Sequence, residues 1–308
     1  MPHRHWNIAI IGAGRVGQVF GRRLQEQGHT ISSVVTKTTP SAKSAGRFLA
    51  CSNAGTSVDL ITPDTTLLLI TTPHDAVASA AVELASGDRL RWESVTACHA
   101  SGMLTVRALD PLAELGATVF SFHPLQTFPR DFAPKNLLGA LSGIWYGVDG
   151  TDIAICRARA LAKTLGGRVV VVPPEKRVLY HAACVVASNH LTTLFFMLEQ
   201  MHRALGLEGV GPYDLFGPIM DAARTNAERT SAAASLSGPV VRGGVGTIAG
   251  HLDAIRDFAP EILEYYSRMT METVGLARSK GALDEAKVMQ FRELVGKFLS
   301  SNPQQESL

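Results

Sequence analysis

Short apolar runs alternate with helix-like stretches through the first half of the chain. The four residues Leu67–Ile70 are all apolar, which is typical of a parallel strand buried on both faces. Strand and helix periodicity alternate, so the pattern predicts an α/β class with a doubly wound parallel sheet. The predicted strands are Asn7–Ile11, Ile31–Val35, Leu67–Thr71, Val95–Cys98, Thr118–Phe122, Gly143–Tyr146 and Arg168–Val172, and the predicted helices are Val16–Gln27, Ala76–Leu84 and Ile153–Leu165.

The pattern changes after the two prolines at 173 and 174, which end the last strand. Beyond them helical periodicity continues almost to the end of the chain. We therefore predict two domains, an α/β domain over residues 1–173 and an all-α domain over residues 174–308. The helices predicted in the second are Glu175–Arg203, Pro212–Ser231, Ile248–Phe258, Pro260–Lys280 and Asp284–Leu299.

A glycine motif follows the first strand and opens the first helix, within residues 8–17. Gly12 permits the tight turn, Gly14 lets the backbone approach a pyrophosphate, and Gly17 lets the helix pack close to the strand. In this context the motif predicts a dinucleotide site in a Rossmann fold. The expected cofactor-binding residues are Gly12, Ala13, Gly14, Arg15, Val16, Gly17, Thr36, Lys37, Thr71, Thr72 and Pro73.

The end of the second strand favours NADP over NAD. An NAD site usually carries a carboxylate there to bind the ribose hydroxyl. No carboxylate occurs between Glu26 and Asp59, whereas Lys37, Lys43 and Arg47 fall in that stretch and could attract a 2′-phosphate. The alternative is that these cations are ordinary solvated surface charges.

Polar residues follow several predicted strands, where ligands bind in open α/β sheets. We expect His99, Ser101, His123 and Gln126 in a substrate site, with the alternative that each histidine binds a local backbone carbonyl. The helix that follows the prolines carries a second polar set. On an ideal helix Ser188 lies within roughly 20° of His181 and Asn189 about 80° away, while Lys176 lies one turn before Tyr180.

Composition narrows the function classes further. Apolar residues make up 46% of the chain and charged residues 18%, with a net charge of +2, which predicts a folded core and no nucleic-acid partner. The four cysteines are widely spaced and predict reduced thiols, with no metal site. We find neither a signal peptide nor an apolar run of about 18 residues, and we expect a cytoplasmic protein with no membrane partner.

Taken together, the motifs resemble the Rossmann-like proteins with a DUF2520 domain, related to the 6-phosphogluconate, ketopantoate and pyrroline-5-carboxylate reductase group. The resemblance rests on GAGRVG, CHASG, FHPLQTF, the helix with YHAA and ASN, and SGPVVRGGVGTIAGHL. It implies an NADP-type oxidoreductase with a helical domain that forms a homodimer. It marks His99, Ser101, His123, Pro124, Gln126, His181, Asn189, Pro239, Arg242, Thr247 and His251. Gly244 stands where an aspartate is expected, so Gly246 or Thr247 should begin the next helix.

Hydride transfer to C=O or C=N needs a proton carrier, and imidazole titrates near neutral pH. We expect His181 in that role, with Lys176 and His123 as competitors. Asn189, Ser101, His99, Gln126 and Ser188 would orient a small-molecule substrate, and Arg242 would bind its carboxylate. Two alternatives stay open: a non-catalytic NADP-binding or sensor protein, and a prephenate-dehydrogenase-like enzyme, which the His123–Pro124 step suggests.

Overall fold

The computed structural model describes residues 5–300. Within them the chain forms two compact units, one up to Ser188 and one from Asn189 onward. The sequence places the division after residue 173, so the first unit observed also contains the beginning of the long helical segment.

The first unit is built around one sheet of eight strands in the order β3-β2-β1-β4-β5-β6-β7-β8. All neighbouring strands are parallel except β6 and β7. The direction of the strand order reverses between β1 and β4. The strands are β1 Asn7–Ile11, β2 Thr30–Val35, β3 Ala54–Gly55, β4 Leu67–Ile70, β5 Thr96–His99, β6 Thr118–Pro124, β7 Trp145–Gly150 and β8 Arg168–Val171. The predicted doubly wound α/β fold is confirmed.

Helices cover both faces of this sheet. One apolar core joins the sheet to α1 and α5 through residues such as Phe20 and Leu161, and the other joins it to α3 and α4 through Ala81 and Leu112. Both faces of the central strands are therefore buried, as the run Leu67–Ile70 predicts. The helices are α1 Arg15–Glu26, α2 Thr39–Phe48, α3 Val77–Ala85, α4 Asp110–Glu114 and α5 Asp152–Thr164.

Some elements differ from the sequence prediction. A strand is present near Gly143–Tyr146, as predicted, but its bounds are wrong: Gly143 adopts a φ of +76°, and the strand runs over Trp145–Gly150, antiparallel to β6. Neither β3, with two residues, nor α2 was predicted. The sequence of α2 is rich in small and polar residues, and the helix begins because Thr38 caps it and Pro40 suits its first turn.

The predicted helix Glu175–Arg203 is interrupted. A 3₁₀ turn, Pro174–Lys176, leads into α6 Arg177–Val185, then a π-helical turn Val186–His190, then α7 Leu191–Ala204. A π turn accommodates one extra residue, about 100° of rotation on an α-helix. The helical angles expected for Ser188 and Asn189 therefore do not apply.

The second unit is helical throughout its described part. It contains α7, α8 Pro212–Arg229, α9 Ala232–Ser235, α10 Val245–Phe258, α11 Leu263–Ser279 and α12 Glu285–Ser300. Its core includes Leu252, Val274 and Phe291. Helix α10 begins at Val245 with Gly244 as its N-cap and no side-chain cap, so the expected start at Gly246 or Thr247 is wrong.

Among the described residues, one helical span is long and apolar enough to cross a membrane by length and composition. This span, Pro174–Ala204, has a mean hydropathy of 1.3 in a window of which no residue is buried. This measure averages hydropathy over a span that polar residues such as His181 and Asn189 interrupt, whereas the expectation from the sequence concerns an unbroken apolar run. One helix of this kind is weak evidence for a membrane span, because core helices of soluble proteins meet the same criterion.

Candidate cofactor and active site

The glycine loop lies between β1 and α1, next to the end of β4. Gly12 has a φ of +81°, and its N–H donates to the carbonyl of Val35 over 2.8 Å. A Cβ at this position would lie 2.6 Å from the backbone nitrogen of Thr72. Only glycine satisfies both the left-handed turn and this close approach.

The helix that follows the loop has a free amino end. Helix α1 begins at Arg15, its N-cap is the exposed Gly14, and no side chain caps it. Ala13 is buried below the loop, Val16 is half-buried, and the guanidinium of Arg15 donates to the carbonyl of Arg130. Unsatisfied N–H groups and the positive end of the helix dipole are suited to an anionic phosphate.

The end of β4 completes the loop's surroundings. The Thr71 hydroxyl donates to the carbonyl of Gly12 over 2.8 Å and lies where a Cβ of Gly17 would be. The Thr72 hydroxyl oxygen is enclosed and has no hydrogen-bond partner among the described residues. The exposed Pro73 begins the next turn. An enclosed, unpartnered hydroxyl beside an open phosphate loop fits a cofactor that would contact it.

The second strand ends at the start of another helix. The buried Thr36 donates its hydroxyl proton to the carbonyl of Thr38, while Lys37 is exposed. Thr38 caps α2, on which Lys43 is exposed in the second turn and Arg47 lies in the last turn. Hydroxyls, cations and a helix amino end therefore occupy the end of β2.

The register of the parallel strands aligns the polar residues that follow them. Ile70 pairs with His99, and His99 pairs with Ser121. Side chains alternate along β6, so Phe120 and Phe122 enter one core while Ser121 and His123 point to the opposite face. That face carries the polar cluster described next.

His99 anchors the loop after β5. Its Nε2 donates to the carbonyl of Thr105 over 3.0 Å, and its Nδ1 accepts from the N–H of Ser101 over 3.2 Å. Burial lowers the pKa of His99 to about 4, so this neutral tautomer persists. The Ser101 hydroxyl in turn accepts from the N–H groups of Met103 and Leu104. These contacts favour the local-backbone alternative for His99, and its substrate-binding role stays a prediction.

His123 forms a hydrogen bond with Tyr180, which is not among the predicted site residues. His123 Nδ1 lies 2.8 Å from the Tyr180 hydroxyl. Burial, with the Arg177 charge next, lowers the pKa of His123 to about 3, and burial raises the pKa of Tyr180. Both groups are therefore neutral, and either could donate in this contact. We assign the donor to Tyr180, which leaves the proton of His123 on Nε2.

His181 lies beside His123, with ring centroids 5.9 Å apart in an edge-to-face arrangement. Its Nδ1 is enclosed without a hydrogen-bond partner among the described residues. A Cβ on the buried Gly102 would lie 2.5 Å from this nitrogen and 2.8 Å from His123 Nε2. Since Nδ1 is enclosed, the ring can exchange a proton with a ligand only through Nε2. The structure thus brings together His123 and His181, two of the predicted catalytic residues.

A buried ion pair lies behind these imidazoles. Arg177 Nη1 is 3.2 Å from Asp149 Oδ1, and both side chains are almost fully buried. Asp149 pairs with Ser121 across β6 and β7, and Gly147 pairs with His123. Arg177 and Tyr180 are three residues apart, a rise of about 4.5 Å along α6, and Asp149 and Gly147 are two residues apart, about 6.7 Å along β7. Arg177 lies beside Asp149, and Tyr180 lies beside Gly147.

Arg177, Asp149, Tyr180 and Gly102 are not among the site residues predicted from the sequence. The sequence does carry a signal for Asp149, because it is a charged residue in the mostly apolar segment of β7, as Ser121 is a polar residue in β6. Such residues are buried and need polar partners.

The remaining predicted residues of the first unit lie outside the imidazole cluster. Lys176 is exposed at the N-cap of α6, and its side chain forms no hydrogen bond or ion pair within residues 5–300. Gln126 is exposed and donates to the carbonyl of Ala140 over 3.2 Å. Ser188, in the π turn, donates to the carbonyl of Cys184 near the end of α6. Their proposed roles stay predictions.

Two predicted residues belong to the second unit. Asn189 lies in the π turn, and Arg242 is exposed in the turn before α10. His251, which the resemblance marks, forms a 2.7 Å hydrogen bond with Tyr266. Within the described part of the chain, no group of three or more His, Cys, Asp or Glu side chains could hold a metal ion.

Two family models match the chain. A Rossmann-like domain covers residues 2–124, and a domain of unknown function, DUF2520, covers residues 144–273. No curated protein sequence matches it.

Solved structures with a similar fold include several NAD(P)-dependent enzymes. BF3122 from Bacteroides fragilis, classed as an NADP oxidoreductase, is 19% identical with a TM-score of 0.71, over 88% of this chain and 98% of that one. An imine reductase from Myxococcus stipitatus in complex with NADP+ is 15% identical with a TM-score of 0.61, over 93% and 99%. Prephenate dehydrogenase from Aquifex aeolicus is 17% identical with a TM-score of 0.51, over 96% of each chain. At these identities the likeness shows the fold.

Proposed function

We propose that this chain, which belongs to the Rossmann-like proteins with a DUF2520 domain, is an NADP-dependent oxidoreductase acting on a small substrate with a C=O or C=N bond. The observation that carries the proposal is the position of the glycine loop, between β1 and β4 where the strand order reverses. Ligands of open α/β sheets bind at this point. The open Gly14, the uncapped α1 and the unpartnered Thr72 hydroxyl fit a dinucleotide there.

A bound nicotinamide cofactor would supply or accept the hydride. The chain's own imidazoles would handle the proton. We assign proton transfer to His181 through Nε2, and hydrogen bonding to the substrate heteroatom to the Nε2–H of His123. Tyr180 would orient His123 through Nδ1. Lys176 remains a competing proton carrier, and Arg242 and Asn189 remain proposed substrate contacts.

The preference for NADP is supported by the end of β2. Lys37 and Lys43 are exposed there, and no carboxylate is present to repel a 2′-phosphate. The similar structures include complexes with NADP+ and with NAD+, so the preference rests on these residues.

Titration with NADPH and NADH, followed by nicotinamide fluorescence, tests the proposal. We expect tight binding of NADPH and much weaker binding of NADH. Lys37→Glu should weaken NADPH binding and leave NADH binding unchanged, whereas Lys163→Glu, an exposed lysine on α5, should change neither. Equal affinity for both nucleotides would contradict the NADP preference, and failure to bind either would contradict the proposal.

A substrate screen separates catalysis from binding. NADPH oxidation would be followed with cyclic imines and 2-oxo acids, and NADP+ reduction with prephenate-type acids. Turnover that His181→Gln abolishes, with NADPH affinity retained, would support the assigned proton carrier. Tight NADPH binding without turnover of any substrate would favour the non-catalytic binding protein instead.

We also propose a homodimer formed through the C-terminal helices. Large apolar side chains are exposed on α7 and α8, among them Phe196 at 56% and Ile219 at 69% of their full area. Burying such side chains against a second copy would be favourable. Sedimentation equilibrium should give twice the chain mass of 32.9 kDa, reduced by Ile219→Glu. A monomer at micromolar concentration would contradict the dimer. A cytoplasmic location stays a prediction.

A further inference from the structure

The buried guanidinium of Arg177 connects three segments around the imidazole pair. Its Nε donates to the carbonyl of Gly102 over 3.0 Å, and its Nη2 donates to the carbonyls of Ser101 over 3.1 Å and Gly147 over 3.3 Å. Its Nη1 forms the ion pair with Asp149. One side chain thereby binds the loop after β5 and strand β7 from helix α6.

Asp149 connects to the same loop from the other side. Its Oδ1 accepts from the Ser121 hydroxyl, and its Oδ2 accepts from the N–H of Val106 over 2.7 Å. His99 binds the loop at Ser101 and Thr105. The segment from Ser101 to Val106 is therefore attached at both of its ends to the sheet and to α6 by buried polar side chains.

Stability alone does not account for a guanidinium at this place. Transferring two charges out of water often costs more free energy than their mutual attraction returns. An apolar pair of similar volume therefore often stabilises a fold as well or better. What an apolar pair cannot do is bind three carbonyl groups with one side chain or hold a positive charge beside His123.

We infer that Arg177 is the positioning residue of the proposed active site, which fixes Gly102 against His123 and His181 and places a permanent charge beside the imidazoles. The inference rests on the proposed function only for what the imidazoles do there. Gly102 is the residue through which Arg177 affects the rings, because a Cβ at this position would lie 2.5 Å from His181 Nδ1 and 2.8 Å from His123 Nε2.

The charges around His123 are consistent with this role. After burial, Arg177 is the largest influence that lowers the pKa of His123, followed by His181 on the same helix and His99 on β5. Tyr180 occupies Nδ1, and Asp149 faces Arg177 from β7. A permanent cation here disfavours a second positive charge on His123, so the ring remains neutral near neutral pH. In the assigned tautomer its Nε2–H is then available as a hydrogen-bond donor.

Two variants and a control test the inference in the full-length protein. Arg177→Lys keeps the charge and loses the planar set of donors. The double variant Arg177→Met with Asp149→Asn removes both charges, because Arg177→Met alone would leave a buried carboxylate unpaired and risk unfolding. Arg159→Met replaces an exposed arginine on α5 and serves as the control.

Two readouts follow in each protein. Hydrogen exchange at the amides of Met103 and Leu104, which bind Ser101, should become at least about tenfold faster in both Arg177 variants and stay unchanged in the control. The titration midpoint of His123, followed by histidine NMR signals, should move upward in the double variant and stay near its wild-type position in Arg177→Lys. A merely structural arginine would not move the midpoint.

An unchanged His123 midpoint and unchanged loop exchange in the folded double variant would overturn the inference. NADPH binding is measured alongside, because the cofactor loop is not touched by these changes. If the wild-type protein fails to bind NADPH, the proposed function falls while the Arg177 result still decides the positioning role.

Discussion

Lowering the pH should destabilise the first unit strongly, because it contains two neutral imidazoles with lowered pKa values, the buried His99 and the half-buried His123. The pKa of His99 is lowered to about 4 and that of His123 to about 3, mainly by burial. In the unfolded chain each would titrate near about 6.5. Between these values the unfolded state binds more protons than the folded state, so stability is complete above about pH 6.5 and is lost as the pH falls. At about pH 5 each imidazole costs about 2 kcal/mol, or about 4 kcal/mol together, relative to about pH 8.

Urea unfolding followed by tryptophan fluorescence measures this effect. The chain's three tryptophans, Trp6, Trp92 and Trp145, all precede Ser188, so their emission reports on the first unit. The range from about pH 8 to about pH 5 lies mostly above the ordinary titration of carboxylates and below that of tyrosines. The free energy of unfolding should fall by about 4 kcal/mol across it.

Matched variants assign the effect to the imidazoles. His123→Asn should remove about half of the pH dependence, whereas His74→Asn, at an exposed histidine in the turn before α3, should leave it unchanged. A free energy of unfolding that stays constant from about pH 8 to about pH 5 would refute the reasoning, since it would mean that both rings protonate in the folded protein.

Two further predictions concern the same cluster. Gly102→Ala would place a Cβ 2.5 Å from His181 Nδ1 and 2.8 Å from His123 Nε2, so it should lower the free energy of unfolding in urea by about 1–3 kcal/mol. Gly139→Ala, at a position with open space around it, should lower it less. Equal effects of the two changes would contradict the close packing. Tyr180→Phe removes the donor to His123 Nδ1 and should change the His123 ring ¹⁵N shifts from those of the Nε2–H tautomer; unchanged shifts would contradict the assigned tautomer.

The sequence predicts the cofactor loop well because its information is local. Gly12 makes its turn within a few residues of the strand before it, and the strands around it are apolar runs that any parallel sheet would bury. The histidines at the strand ends are likewise visible as polar residues after apolar runs. The partners of these histidines are placed by strand pairing and helix packing between segments far apart in the sequence.

The reversal of β7 illustrates what could not be predicted. Because β7 runs antiparallel to β6, Asp149 lies opposite Ser121 and Gly147 lies opposite His123. The same reversal places Arg177 and Tyr180 over these residues in turn. Nothing in the spacing of Ser121, Asp149 and Arg177 along the chain indicates that they meet, since the first two are separated by 28 positions.

The two glycines that border the imidazoles carry no functional group, yet they decide where the functional groups can lie. A Cβ on Gly147 would occupy the position of the Tyr180 hydroxyl, and a Cβ on Gly102 would press on both histidine rings. Every replacement of glycine adds that carbon. In a saturation mutagenesis scan, these two positions should therefore be as intolerant of change as the histidines themselves, so mutational sensitivity in this part of the chain identifies the shape of the space as well as its chemistry.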